Sequence, residues 1–204
     1  MQRLFHRRGV DVFIAVAALF VSAVSLWIGV RTEYANEELV AGSTWPFLQV
    51  QISNSDLDGN LDLKFDVVNT GVGPAKVESF EVFWRGKPYR SSNELLIRCC
   101  GFKIIKATSP EAKHHTPLIA GGVQGIVLRP GETEEFIHYR LNADNLAIWS
   151  ALNKEREQMS YRICYCSVIE QCWLATLRSE LYMPGQLHPL QVKTCPVPAV
   201  PYLK

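Results

Sequence analysis

Residues 61–84, LDLKFDVVNTGVGPAKVESFEVFW, alternate, turn and alternate again. Leu61, Leu63, Phe65 and Val67 are interleaved with Asp62, Lys64 and Asp66. An extended chain therefore carries the apolar set on one face and the charged set on the other. Asn69 to Ala75 is a turn cluster: Gly71 and Gly73 read as positions open to positive φ, and Pro74 stops helix propagation. In the second run Phe80, Val82 and Trp84 share a face, while Val77 is out of phase with them and predicts a bulge near Ser79. The period is two, and the two runs are joined by a short turn. That is the signature of antiparallel strands.

The same pattern extends along the chain. Arg85-Gly86-Lys87-Pro88 turns it, and further strands are expected at ELLIRCC (94–100), GIVL (125–128) and TEEFIHYRL (133–141). In the last of these Ile137, Tyr139 and Leu141 share a face, with His138 on the other. Two closing strands follow, SYRICYCSV (160–168) and CWLATLRSELY (172–182), joined by a turn around Ile169 to Gln171. One helix interrupts the strand pattern ahead of these two: Asp144 is positioned to cap it, and Leu146, Trp149 and Leu152 recur at i, i+3 and i+6. Strands are not separated by regular helices, which excludes a parallel α/β sheet. The expected domain is mainly β, an antiparallel sandwich with one inserted helix.

Ahead of it lies a different solvent. Nineteen residues between Asp11 and Arg31, VFIAVAALFVSAVSLWIGV, carry no charge. As a helix they span about 28 Å, close to the ~30 Å hydrocarbon core of a bilayer. Arg3, Arg7 and Arg8 precede the run, while Arg31, Glu33, Glu37 and Glu38 follow it. The Lys/Arg bias puts the N-terminus in the cytoplasm and exports the rest, so the expected location is the inner membrane with a periplasmic domain. A competing reading is a cleaved signal peptide ending at Val21-Ser22-Ala23, but it would leave the apolar VSLWIGV as a new N-terminus. The expected layout is a cytoplasmic N-terminus (1–11), a transmembrane helix (12–30), a juxtamembrane helix or linker (31–44), a sandwich (45–182) and a tail (183–204). That tail holds five of the eleven prolines. The lipid bilayer is thus the first partner, through residues 12–30.

A net charge of +1 from 21 basic and 20 acidic residues argues against nucleic-acid binding, which needs a basic face. There is no G-x-S-x-G, and the glycines of NTGVGPA lead into a strand with no GK[ST]. No cofactor is implied, and no enzyme. Glu132, Glu134 and Glu135 read as a solvated strand start, with a cation site as the sharper alternative. His138 reads as a surface histidine, and His188 in the tail carries no signal.

Six cysteines remain: Cys99, Cys100, Cys164, Cys166, Cys172 and Cys195. In an exported domain disulfides are the default, and six cysteines allow fifteen pairings. Cys164 and Cys166 share one face of a strand, the following turn brings Cys172 near Cys166, and Cys99 and Cys100 point to opposite faces if extended. Two other readings stand beside this one: buried free thiols, and a thiol-redox or soft-metal site. The latter would draw on Cys99, Cys100, Cys164 and Cys166 with His114 and His115, the right ligand types for Zn²⁺ or Cu(I). Neither C-x-x-C nor H-x₃₋₅-H is present.

The stretch FDVVNTGVGPAKVESFEVFWRGKPY (65–89), with LRPGETEEF (128–136), resembles bacterial immunoglobulin-like domains. The anchor, Trp45-Pro46, NTGVGPA, Cys99-Cys100 and CYCSVIEQCW together resemble a group of small bacterial single-pass membrane proteins without an assigned activity. These resemblances imply an immunoglobulin-like sandwich on a tether and carry no functional residues across. The functional expectation is a non-catalytic binding or structural module with a protein partner in the cell envelope.

Overall fold

A computed structural model describes residues 2–55, 58–103, 118–178 and 188–203, with the backbone alone described for residues 2–11. The chain divides into two units, Met1–Ser43 and Thr44–Lys204. The first is one continuous helix, α1 (Gln2–Ser43), and from Val12 onward it is long and apolar enough to cross a membrane. Its few hydroxyls need no solvent: Ser22, Ser25 and Thr32 each donate to the carbonyl four residues back, at 2.8, 2.8 and 2.9 Å. In lipid an unsatisfied polar group would cost several kcal/mol, so this internal bonding suits a membrane helix.

The second unit is mainly β. Its elements are β1 (Leu48–Ser55), β2 (Leu61–Asn69), β3 (Ala75–Trp84), β4 (Lys87–Tyr89), α2 (Ser92–Cys100), β5 (Val127–Leu128), β6 (Thr133–Arg140), α3 (Leu146–Glu155), β7 (Met159–Cys166), β8 (Cys172–Arg178) and β9 (Leu190–Val192). They form two antiparallel sheets. One has the order β1-β2-β6; the other runs β4-β3-β7-β8-β9, with β5 also on β3. The alternation read in residues 61–67 holds at Leu63, Phe65 and Val67, which are fully buried, but not at the strand's start, where Leu61 is exposed and Asp62 is buried. Phe80, Val82, Tyr161, Ile163 and Tyr165 meet them from the other sheet within one core. Phe136 packs edge-on against Phe65 (6.1 Å) and Phe80 (5.0 Å), so aromatic rings bridge the two sheets.

The register shifts in three places, one of them between Ser53 and Ser55 at the end of β1, and the other two are bulges beside the core. On β3 the extra residue is Glu78, beside the expected Ser79. On β6 it is Phe136, between Ile137 opposite Phe65 and Glu135 opposite Asp66, and this lets Phe136 and Ile137 both enter the core.

Three expectations are corrected. ELLIRCC is helix α2 and not a strand: Ser91 caps it by accepting from Glu94 N–H, Leu95 and Leu96 are buried, and Gly101 ends it in the left-handed conformation. On α3, Asn145 takes the cap position that Asp144 was expected to fill. Gly71 and Gly73 do not have positive φ; they are required by close approach. A Cβ on Gly73 would sit 2.0 Å from the Thr44 carbonyl oxygen, and one on Gly71 would sit 2.3 Å from Phe47 N.

Asn69 holds this turn. Its amide donates to the carbonyls of Gly73 (2.8 Å) and Leu128 (3.0 Å), and its oxygen accepts from Gly71 (3.0 Å) and Phe47 (3.2 Å). The residues from 188 to 203 pack on the domain. Strand β9 pairs with β8, and Tyr202 is buried, donating its N–H to Phe80 O and meeting Ser92 Oγ through its hydroxyl.

Candidate functional site

The β7–β8 hairpin places Cys166 directly opposite Cys172. Between them Ser167 to Gln171 close a tight turn: Ser167 N–H donates to Gln171 O, Glu170 N–H donates to Ser167 O, and Glu170 takes positive φ. Cys166 and Cys172 form a disulfide with their Cα atoms 4.0 Å apart. Two residues back, on the same face of β7, Cys164 bonds Cys195, which β9 delivers across the sheet; their Cα atoms are 5.7 Å apart. Tyr161, Ile163 and Tyr165 fill the core face of β7, so Cys164 and Cys166 lie on the outer face. Tyr165, between them in sequence, is pushed up to about 12 by burial.

The two disulfides are neighbours. Cys166 Sγ lies 3.9 Å from Cys195 Sγ, and the sulfurs of Cys166, Cys172 and Cys195 all lie within 4.8 Å of one another. These three cysteines border a groove of about 510 Å³. Its walls include Pro74 from the β2–β3 turn, Val127 of β5 and Val168 of the β7–β8 turn. Both valines are exposed. Lys76, Glu78, Glu170 and Lys193 add two charges of each sign. Lys76 is held to Glu78 at 2.7 Å, and that hydrogen bond raises the Lys76 pKa.

Cys99 and Cys100 bond to each other at the end of α2, with Cα atoms 3.8 Å apart. The expectation that they face opposite ways was tied to a strand that does not form. The ligand set read from the sequence is therefore not assembled: Cys99 pairs with Cys100, while Cys164 and Cys166 pair with Cys195 and Cys172. His114 and His115 lie outside the described residues. The groove's sulfurs instead include Cys172, legible from the hairpin, and Cys195. Nothing local marked Cys195, because its partner is 31 residues away in sequence.

His138 is not a surface histidine. Its side chain is 12% exposed and lies between two carboxylates, with Nε2 2.7 Å from Asp62 Oδ1 and Nδ1 3.0 Å from Glu135 Oε1. The Asp62 side chain is 1% exposed, and its second oxygen has Lys64 Nζ at 3.6 Å and Arg140 Nη2 at 3.7 Å. An Asp–His pair invites comparison with a general base. Such a base needs one ring nitrogen free for the substrate's proton, and here both face carboxylates. The cluster braces β2 against β6.

The three glutamates do not form one site. Glu132 accepts from Arg129 N–H in its own turn, and Glu135 is engaged by His138. Glu135 also faces Asp66, whose carboxyl is raised to about 6, first by burial and then by that neighbouring charge. Comparison of the chain with protein-family models, with curated proteins and with solved structures gives no match.

Proposed function

We propose that this protein is a single-pass membrane protein whose Thr44–Lys204 unit is an extracytoplasmic, immunoglobulin-like binding module. The helix from Val12 supports the tether, and the Lys/Arg bias before it supports a cytoplasmic N-terminus in the inner membrane. Six cysteines in three disulfides fit an oxidising compartment. The strand order supports the immunoglobulin-like reading: β1-β2-β6 facing β4-β3-β7-β8 matches the A-B-E strands facing C′-C-F-G.

On that reading the groove carries the binding assignment. It is walled by the β2–β3 and β7–β8 turns, which correspond to the B–C and F–G loops that immunoglobulin-type sandwiches use for recognition. Its lining, apolar walls with balanced charges, suits a peptide segment of another envelope protein.

A photo-crosslinking residue at Val168, compared with one at Lys87, the first residue of β4 at the other end of β3, tests this in intact cells. The proposal expects a discrete adduct from position 168 and none from 87. Equal or absent crosslinking at both positions contradicts it.

A further inference from the structure

The close sulfurs in the groove belong to two different disulfides, so each disulfide has a potential attacking thiol held beside it. We propose that Cys166–Cys172 and Cys164–Cys195 act as one thiol–disulfide exchange unit, with exported thiols as its substrates. A substrate thiolate entering the groove attacks Cys172 Sγ; a mixed disulfide forms, the Cys166–Cys172 bond breaks, and Cys166 leaves as the thiolate. A second substrate thiol then displaces Cys172. The substrate leaves oxidised to a disulfide, and its two electrons remain on Cys166 and Cys172. Cys166 next attacks Cys195 Sγ, 3.9 Å away: the Cys166–Cys195 bond forms, the Cys164–Cys195 bond breaks, and Cys164 takes up a proton. This last step is an isomerisation and needs no oxidant.

Two observations support it. Cys166, Cys172 and Cys195 all border the groove, the first two with 8% and 6% of their surface still open, while Cys164 is fully buried. Attack from solvent is therefore directed to the three sulfurs that can exchange among themselves. The reacting pair is already near van der Waals distance, so little motion is needed to convert proximity into reaction.

The chemistry can be read on purified protein whichever side of the membrane the domain occupies, so its failure and that of the export reading are separable. Full-length oxidised protein in detergent micelles is treated at pH 8 with a limiting amount of either a dithiol peptide or glutathione. It is then acid-quenched, alkylated and mapped by peptide mass, with Cys99–Cys100 scored separately. The proposal predicts a Cys166–Cys195 linkage, with Cys164 and Cys172 alkylated, in about a tenth or more of the molecules reduced at this pair. Two bonds within about 30 mV of each other share an opening within tenfold.

Reaction with the peptide alone assigns protein substrates, and reaction with glutathione alone assigns small thiols; either supports exchange. Labelling confined to Cys166 and Cys172 overturns the proposal, as does resistance of both bonds in the folded protein. A Cys172→Ser variant gives an independent reading. Its single unpaired thiol should be alkylated at both Cys166 and Cys164; label on Cys166 alone contradicts the proposal.

Discussion

Asp66 is on the outer face of β2, paired across the ladder with Glu135, and its carboxyl is raised from 3.8 to about 6. Burial is the larger cause and Glu135 the next; Lys64 and His138 oppose them. A carboxyl that binds its proton more tightly when folded adds stability below the unfolded value of 3.8 and loses that stability as pH rises through about 6. At pH 7 the ionised Asp66 is therefore a net cost. Asp66→Asn should stabilise the domain at pH 7 by on the order of 1 kcal/mol, discounted because the group is half exposed. At pH 3.5 it should give no gain. Urea unfolding at both pH values checks this, and an equal gain at both would contradict it. Asn69 illustrates the opposite outcome of burying a polar group: with two donors and two acceptor contacts filled, it costs nothing unsatisfied and fixes three chain segments.

Among the elements, the strands around 61–84 were legible because one face is wet, and alternation survives wherever one face is wet. Helix α2 was not, although its signals were present. Ser91 and Glu94 have the spacing of a capping box, and Ser92, Leu95, Leu96, Cys99 and Cys100 recur at i, i+3, i+4, i+7 and i+8. A short apolar run bounded by turns, such as ELLIRCC, reads equally as a strand. Composition concealed the C-terminal element as well: its prolines suggest a linker, while Cys195 and Tyr202 are fixed by tertiary partners that no local pattern reveals.

The three disulfides should differ in worth as elements. They close separations of 31, 6 and 1 residues. Chain-entropy reasoning gives roughly 3–4, about 2 and under about 1 kcal/mol respectively. Urea midpoints of the three paired Cys→Ser variants should follow that order. A loss at Cys99–Cys100 as large as that at Cys164–Cys195 would contradict it. The weak contribution expected of Cys99–Cys100 also means that little unfolded-state entropy explains its presence.

The whole molecule joins a helix able to span lipid to a β unit stapled by disulfides, and compartment is what connects the two features. A domain exported into an oxidising space can keep three bonds closed; the same domain facing the cytosol would hold its thiols reduced. The candidate site depended on this connection, and it was only half legible in the sequence. The Cys164–x–Cys166 spacing announced a shared face, and the hairpin announced Cys172. The groove itself arises from turns and a strand distant in sequence. The most direct test is to block thiols in intact cells at harvest, isolate the protein from carbonate-washed membranes and map its cysteines without reduction. The expected result is protein in the membrane pellet with Cys99–Cys100, Cys164–Cys195 and Cys166–Cys172 linked in its predominant form. Membrane-bound protein with all six cysteines carrying the blocking group would contradict it.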